Sequence, residues 1–358
     1  MGSQLLDSEK ASRTSPAKKI EDVVSSTLPK FVVVILHGLT MYSDECDEIK
    51  SKVLERFGED VIVIQPKCRE GYKSVFISMD KQAELVVREV IKNLTDRCPR
   101  HLNKELRSLP MFFVGHSQGG MLSMIMADTY TSDLNIMGIV SINSPLTGTQ
   151  PLENNRHDMK VFQKRSKAGL KAIGHPDINL IDVNALLIVL NNPLLKAFSQ
   201  RFLRGAKDMY SSSDIVSRIK RFVRGYKHTV PILLIATYIE NLAEYFDYSP
   251  EDEDKVNEFL RGYTKLITRD DYGEHDFLIA TKSQLCRTDS FADLAQSKDD
   301  PVYPSNVKIR VFRNLLHAYN MIPFLSSYRV KRGELCVKSN KVISIILDFI
   351  EEHIRILQ

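Results

Sequence analysis

The chain has few cysteines, and none are placed to staple a fold or hold a metal. The five, Cys46, Cys68, Cys98, Cys286 and Cys336, are odd in number and form no C-x-x-C pair. That spacing excludes a disulfide framework and a zinc ribbon and points to a reducing compartment. No stretch reaches the roughly 18 apolar residues of a membrane span. There is no Gly-rich phosphate loop and no metal-ligating cluster, so no cofactor and no metal are expected. Residues 1–30 are rich in Ser, Lys and Glu and lack the apolar core of a signal peptide. Leu6 stands where N-myristoylation needs Ser or Thr. We expect this segment to be a disordered tail. A cytoplasmic location follows as the expectation, with peripheral membrane contact allowed and export without a cleaved signal left open.

What is present is ordinary in bulk. Hydrophobic residues make up 43% and charged residues 26% of 358, with a net charge of +4. An α/β enzyme with one insertion reaches that length without a second core.

The informative feature is Gly115-His116-Ser117-Gln118-Gly119-Gly120, directly behind the apolar run Met111 to Val114. A G-x-S-x-G after a strand describes a nucleophile elbow, a sharp strand-to-helix turn that exposes the serine hydroxyl. A Cβ at Gly115 or Gly119 would crowd that turn. Met121 to Ala127 are good helix formers and suit the helix that must follow. Upstream, Phe31 to Leu36 is a β-branched run, as a strand buried on both faces should be, and it ends in His37-Gly38-Leu39. An oxyanion hole needs backbone N–H groups aimed at the developing charge. Gln118 would supply one at a helix N-terminus and Leu39 the other, with Gly38 letting the backbone turn in close. His37 precedes the serine and is expected only to shape the loop.

These residues resemble the α/β-hydrolase superfamily, and within it the lipase-like serine esterases. The landmarks are Leu36 to Leu39, Gly115 to Gly120, the strand-then-S/T-P-x-x-G step at Ser141 to Thr149, and Val307 to Phe312 as the last strand. Gly273 to Ile279 is similar to the family's acid loop, with Phe277 where glycine is usual. Around the elbow the chain is also similar to the palmitoyl-protein thioesterases, which share the H-G-L/M and S-Q-G-G signatures. The resemblance implies an α/β-hydrolase fold: a mostly parallel sheet flanked by helices, with a core of 31–147 and 230–358.

The same resemblance implies the order Ser, acid, His. His317 lies just past the last predicted strand, where the family places its base. Imidazole suits that role because it takes and returns a proton near neutral pH. His353 falls in a predicted closing helix, Val342 to Ile356. His101, His157, His175 and His228 fall outside the family's positions. Asp276 follows the predicted strand Pro231 to Thr237 and is the expected acid, with Asp271 next. Asp247, Asp270 and Glu274 share the interval, and the segment Tyr238 to Tyr272 reads as a long loop. The Glu251 to Asp254 run reads as solvated charge.

Residues 148–229 read as an inserted helical cap, with helices expected at Met159 to Ala172, Asp182 to Leu190, Pro193 to Arg204 and Ser213 to Val223. Leu186 to Leu195 is very apolar for a peripheral element. From Gly148 to Thr229 there are 15 Lys or Arg against 6 Asp or Glu. A basic rim on an apolar surface suits an anionic membrane; a helix packed on the core with a solvated basic face is the other reading. The function expected is ester hydrolysis through Ser117, His317 and Asp276, with a lipid or acyl ester as substrate and no nucleic acid partner. Two alternatives stay open: an acyl-protein or acyl-CoA thioesterase, and a non-catalytic binding protein on the same fold.

Overall fold

The apolar runs become strands of one sheet: β1 Phe31–Leu36, β2 Val61–Ile64, β3 Met111–His116, β4 Ile136–Ile142, β5 Ile232–Tyr238 and β6 Val307–Arg313. Their order is β2-β1-β3-β4-β5-β6, and every neighbouring pair is parallel. The computed structural model describes residues 28–154, 156–174, 203–225, 229–287, 303–318 and 333–356.

Strand periodicity divides the side chains between two cores. Val32, Val34 and Leu36 of β1 join Met111 and Phe113 of β3 on one face of the sheet. Phe31, Val33 and Ile35 join Phe112 and Val114 on the other. Helices cover both faces, as a parallel sheet requires. The first core is closed by α2 (Met79–Arg97) and α3 (Gln118–Tyr130), the second by α1 (Asp47–Phe57) and the closing helix. This is the helix-flanked parallel sheet of the α/β-hydrolase fold, as expected.

The strand order also decides where a site can form. The chain runs outward from β1 to β2 and then returns to β3 on the other side of β1. Loops leaving β1 and β3 therefore part at the carboxyl ends of the strands and leave a crevice, the usual ligand position in open α/β sheets. His37 to Leu39 leaves β1 there, and Ser117 leaves β3.

Two expectations change. Between Tyr238 and Tyr272 the chain is not one long loop but holds a 16-residue helix, Glu253–Thr268. Its acidic start is Glu253 and Asp254, stabilised at the positive end of the helix dipole. Val256, Phe259, Leu260 and Ile267 recur at helical spacing and supply its buried face. That face packs in a third core with Phe162, Leu170 and Phe277. The second change concerns the region expected as a cap. Helix Asp214–Arg224 buries Ile215, Val216, Ile219, Phe222 and Val223 in the same core as α3. Arg218 is hydrogen-bonded to Asp80 and Asp128. This helix belongs to the layer flanking the sheet. In chain order the longer helices are α4 (Arg156–Ala172), α5 (Asp214–Arg224), α6 (Glu253–Thr268) and α7 (Asn340–Arg355). The apolar stretch Leu186 to Leu195, the expected helices at 182–190 and across 193–202, residues 1–27, and His175, Arg201 and His228 lie outside the described residues.

Candidate active site

Ser117 sits between β3 and α3 with φ 55° and ψ −121°, a conformation that a non-glycine residue holds only at a cost of about 1–3 kcal/mol. Its neighbours impose it. A Cβ on Gly119 would stand 2.2 Å from the Leu36 carbonyl oxygen, and one on Gly115 would stand 2.3 Å from the Gly119 backbone. Helix α3 thus lies directly against β1 and β3, and the turn between them has no slack. The Ser117 N–H donates to the Ile142 carbonyl at 2.8 Å, fixing the elbow to the end of β4.

His317 and Asp276 are brought together. The Nδ1–H of His317 donates to Asp276 Oδ2 at 2.7 Å, both side chains being fully buried. The His317 backbone N–H also donates to the Asp276 carbonyl at 3.2 Å. A short parallel pair, β7 Leu315–Leu316 with β8 Glu334–Leu335, holds the segment just before His317. His317 Nε2 is buried and has no hydrogen-bond partner among the described residues. An imidazole whose Nδ1–H is committed to a carboxylate has its lone pair on Nε2, free to accept a proton.

The carboxylate is held on every side. Asp276 Oδ1 accepts from the N–H of Leu278 at 3.0 Å and of Ile279 at 2.7 Å. Oδ2 accepts from Asn143 Nδ2 at 2.8 Å as well as from His317. Asn143 stands just past β4 at φ 49° and also donates to Thr237 Oγ1 at 2.5 Å. Phe277 has φ 74°, a left-handed conformation that favours glycine. Its ring is buried against Tyr245, Phe246 and Tyr263, and the Tyr263 hydroxyl donates to its carbonyl at 2.6 Å. Aromatic packing thus holds the turn where the family uses glycine. Burial pulls the neighbouring His275 imidazole down to about 4. It is neutral, and its Nδ1 accepts from the Phe277 N–H.

The other carboxylates lie elsewhere. Asp271 is partly exposed and paired with Lys265 at 2.8 Å. Glu274 has a buried Oε2 without a partner among the described residues, and burial pushes its carboxyl up to about 7. His353 is buried in α7 with Nδ1 on the Phe349 carbonyl, and His101 faces Glu105 at 3.4 Å.

The loop after β1 reaches the elbow. A Cβ on Gly38 would stand 3.2 Å from Ser117 Cβ. Gln118 is the first residue of α3, so its N–H has no carbonyl inside the helix to bond. Leu39 is buried. His37 donates from Nδ1 to the Gly38 carbonyl at 2.8 Å, and burial, aided by Arg69, draws its imidazole down to about 4. It is a neutral loop residue.

Three groups at the site were not visible in sequence. His116 packs against the His317 ring, centroids 4.7 Å apart and planes tilted by 41°. Glu45 Oε1 lies 3.3 Å from His116 Nδ1, and its Oε2 accepts from the Gly38 N–H at 3.2 Å. Although burial opposes it, His116 and these hydrogen bonds hold Glu45 down to about 2. Arg69 lies behind the loop, fully buried. His116 at least stood inside the elbow motif; Glu45 and Arg69 carried no pattern. Among the described residues no group of three or more His, Cys, Asp or Glu is arranged to hold a metal. No helix among them is long and apolar enough to cross a membrane.

Residues 32–177 match the family model for palmitoyl protein thioesterase. That span takes in β1, the loop after it and the elbow, and stops short of Asp276 and His317. No curated protein sequence matches the chain. Several solved structures are similar at low identity. A monoacylglycerol lipase from Paleococcus ferrophilus is 15% identical, with 91% of this chain and 96% of that one covered and a TM-score of 0.41. A mature lipase from Bacillus licheniformis is 13% identical, covering 90% and 93%, with a TM-score of 0.41. A thermostable carboxyl esterase from Bacillus coagulans is 13% identical, covering 92% of each chain, with a TM-score of 0.40.

Proposed function

We propose that this chain is a serine hydrolase of carboxylic esters whose substrates are lipid esters, working through an acyl-enzyme. The observation that supports it most is the 2.7 Å contact of His317 with a carboxylate fixed by three further donors, beside an Nε2 that has no partner among the described residues. Ser117 attacks the ester carbonyl as His317 takes its proton. The N–H groups of Leu39 and Gln118 stabilise the oxyanion, where low dielectric and fixed donors count most. Asp276 holds the imidazole tautomer and stabilises the imidazolium. His317 then protonates the departing alcohol, and water, deprotonated by the same nitrogen, releases the acid. A binding protein on this fold would have no use for so constrained a carboxylate–imidazole pair.

A second reading, hydrolysis of fatty acyl thioesters, draws on the family match over residues 32–177. Matched palmitoyl and butyryl oxygen esters and thioesters separate the two. The lipid-ester reading expects kcat/KM for the palmitoyl oxygen ester to exceed the butyryl value by about tenfold or more, since buried methylenes contribute about 0.8 kcal/mol each. A thioester preference of similar size over the matched oxygen ester would move the assignment to a thioesterase. Preference for butyryl in both series would remove the lipid assignment.

The membrane is the proposed setting. Lys220 and Arg221 of α5 line an open cleft of about 990 Å³ together with Arg224, and Arg204 adds a further cation in the 148–229 region. Each such cation near an anionic bilayer contributes about 1 kcal/mol. Co-sedimentation with phosphatidylserine vesicles is expected to fall as salt rises, because the Debye length shrinks to about 3 Å at 1 M. Binding indifferent to lipid charge and to salt would rule out this setting.

A further inference from the structure

Arg69 is 0% exposed, and it carries its charge into the protein. No carboxylate pairs with it among the described residues. Its three bonds go to neutral oxygens: Nη1 to the His37 carbonyl at 2.6 Å, Nη2 to Gln118 Oε1 at 2.8 Å, and Nε to Gln82 Oε1 at 3.0 Å. Glu45 is close enough to influence it, but its Oε2 accepts from the Gly38 N–H and its Oε1 lies 3.3 Å from His116 Nδ1. Burial lowers the guanidinium to about 10, so it remains cationic at neutral pH. A buried cation is costly unless something compensates it.

The two ends of this fork land on the two halves of the proposed oxyanion hole. The His37 carbonyl and the Gly38 N–H belong to one peptide. Arg69 holds its oxygen and Glu45 its nitrogen. The next peptide carries the Leu39 N–H, and its oxygen, on Gly38, accepts from His37 Nδ1 at 2.8 Å. Gly38 between them would otherwise be the freest residue of the loop. On the other side, the Gln118 side chain is fixed by Arg69 and by bonds from its Nε2 to the Ser74 and Gly205 carbonyls at 3.1 and 3.3 Å. Gln82 closes the layer, donating to the Ser74 and Ile77 carbonyls at 2.9 and 2.6 Å. One planar group therefore sets the orientation of both loops that carry the N–H donors.

We infer that Arg69 is the positioning residue of the oxyanion hole, aligning the Leu39 and Gln118 N–H groups through His37 and the Gln118 side chain. The inference rests on the hydrolase reading of the site. Its charge is better matched when the substrate carbonyl oxygen becomes negative, so the arrangement favours the transition state over the bound ester. Lysine cannot serve equally, because a point charge does not span two acceptors in a fixed fork.

The test uses the full-length chain with p-nitrophenyl butyrate, active sites being counted by exhaustive fluorophosphonate labelling. Arg69→Met is expected to lower kcat per labelled site by about 10²-fold, the usual cost of a lost oxyanion donor, with KM held within about twofold. Affinity for a trifluoromethyl ketone, which forms a tetrahedral adduct, should fall in parallel. Arg69→Lys should recover only part of the loss. A purely structural role would reduce the labelled fraction and the melting temperature but leave kcat per labelled site unchanged, and that result would overturn the inference. Full recovery by lysine would overturn it too. Should Arg69→Met fail to fold, Gln118→Met decides, since it removes one arm of the fork and keeps the charge. A kcat loss of about tenfold at constant KM supports the inference, and an unchanged kcat refutes it. Ser117→Ala separates the two levels: if it turns over at the parental rate, the hydrolase reading falls, whatever Arg69 does.

Discussion

Ser117→Ala is expected to lower kcat on an acyl ester by about 10⁶-fold, the scale of losing the serine in a comparable triad enzyme, while leaving the fold in place. Retention of the fold follows from where the strain resides. The φ of 55° at residue 117 is imposed by Gly115 and Gly119 packing against Leu36 and the α3 backbone, and alanine keeps the Cβ that already fits there. The elbow is anchored through the Ser117 N–H on Ile142, which the substitution leaves untouched. The denaturation midpoint should therefore stay close to the parental value. Fluorophosphonate labelling should disappear with the activity. Parental turnover by the alanine variant would show that the nucleophile is elsewhere and remove the triad reading altogether.

The parts of this molecule that were legible in sequence are those fixed by local spacing. The β-branched run Phe31 to Leu36 had to be buried on both faces, and its residues alternate between two cores. The elbow was legible because its glycines and serine lie within six residues of one another. The helix at Glu253–Thr268 is not legible because its acidic start reads as solvated charge, although acidic residues are favourable at a helix N-terminus. Residues 148–229 read as an inserted cap from their place in the chain, which cannot show that the apolar face of helix α5 fills the main core. Asn143, Glu45 and Arg69 were out of reach for another reason. Each acts across a large separation in the chain, Asn143 on Asp276 and Arg69 on Gln118, and nothing in the local pattern marks a residue that will be buried beside a partner so distant.

The hydrogen bonds around Asp276 give the second large prediction its direction. Asp276→Asn should lower kcat by about 10⁴-fold, as expected when the base is held in the wrong tautomer. In the parent, Oδ1 accepts two backbone N–H groups, from Leu278 and Ile279, which cannot move or reverse. An asparagine must keep its oxygen on those donors, so its NH₂ takes the place of Oδ2. That group then faces His317 Nδ1 at what was a 2.7 Å contact and Asn143 Nδ2 at 2.8 Å, both donors in the parent. His317 can relieve the conflict by presenting a bare Nδ1, which places its proton on Nε2, where it can no longer accept from Ser117. Asn143 can turn its amide oxygen inward, but the Thr237 hydroxyl must then rotate to donate where it had accepted. The variant should accordingly lose some stability together with nearly all activity, and KM should change far less than kcat. Asp271→Asn is the contrast, since Asp271 is partly exposed and paired with Lys265 at the surface, so kcat should remain near the parental value. Equal, mild losses from both substitutions would place the triad acid elsewhere and leave the Asp276–His317 pair a structural contact.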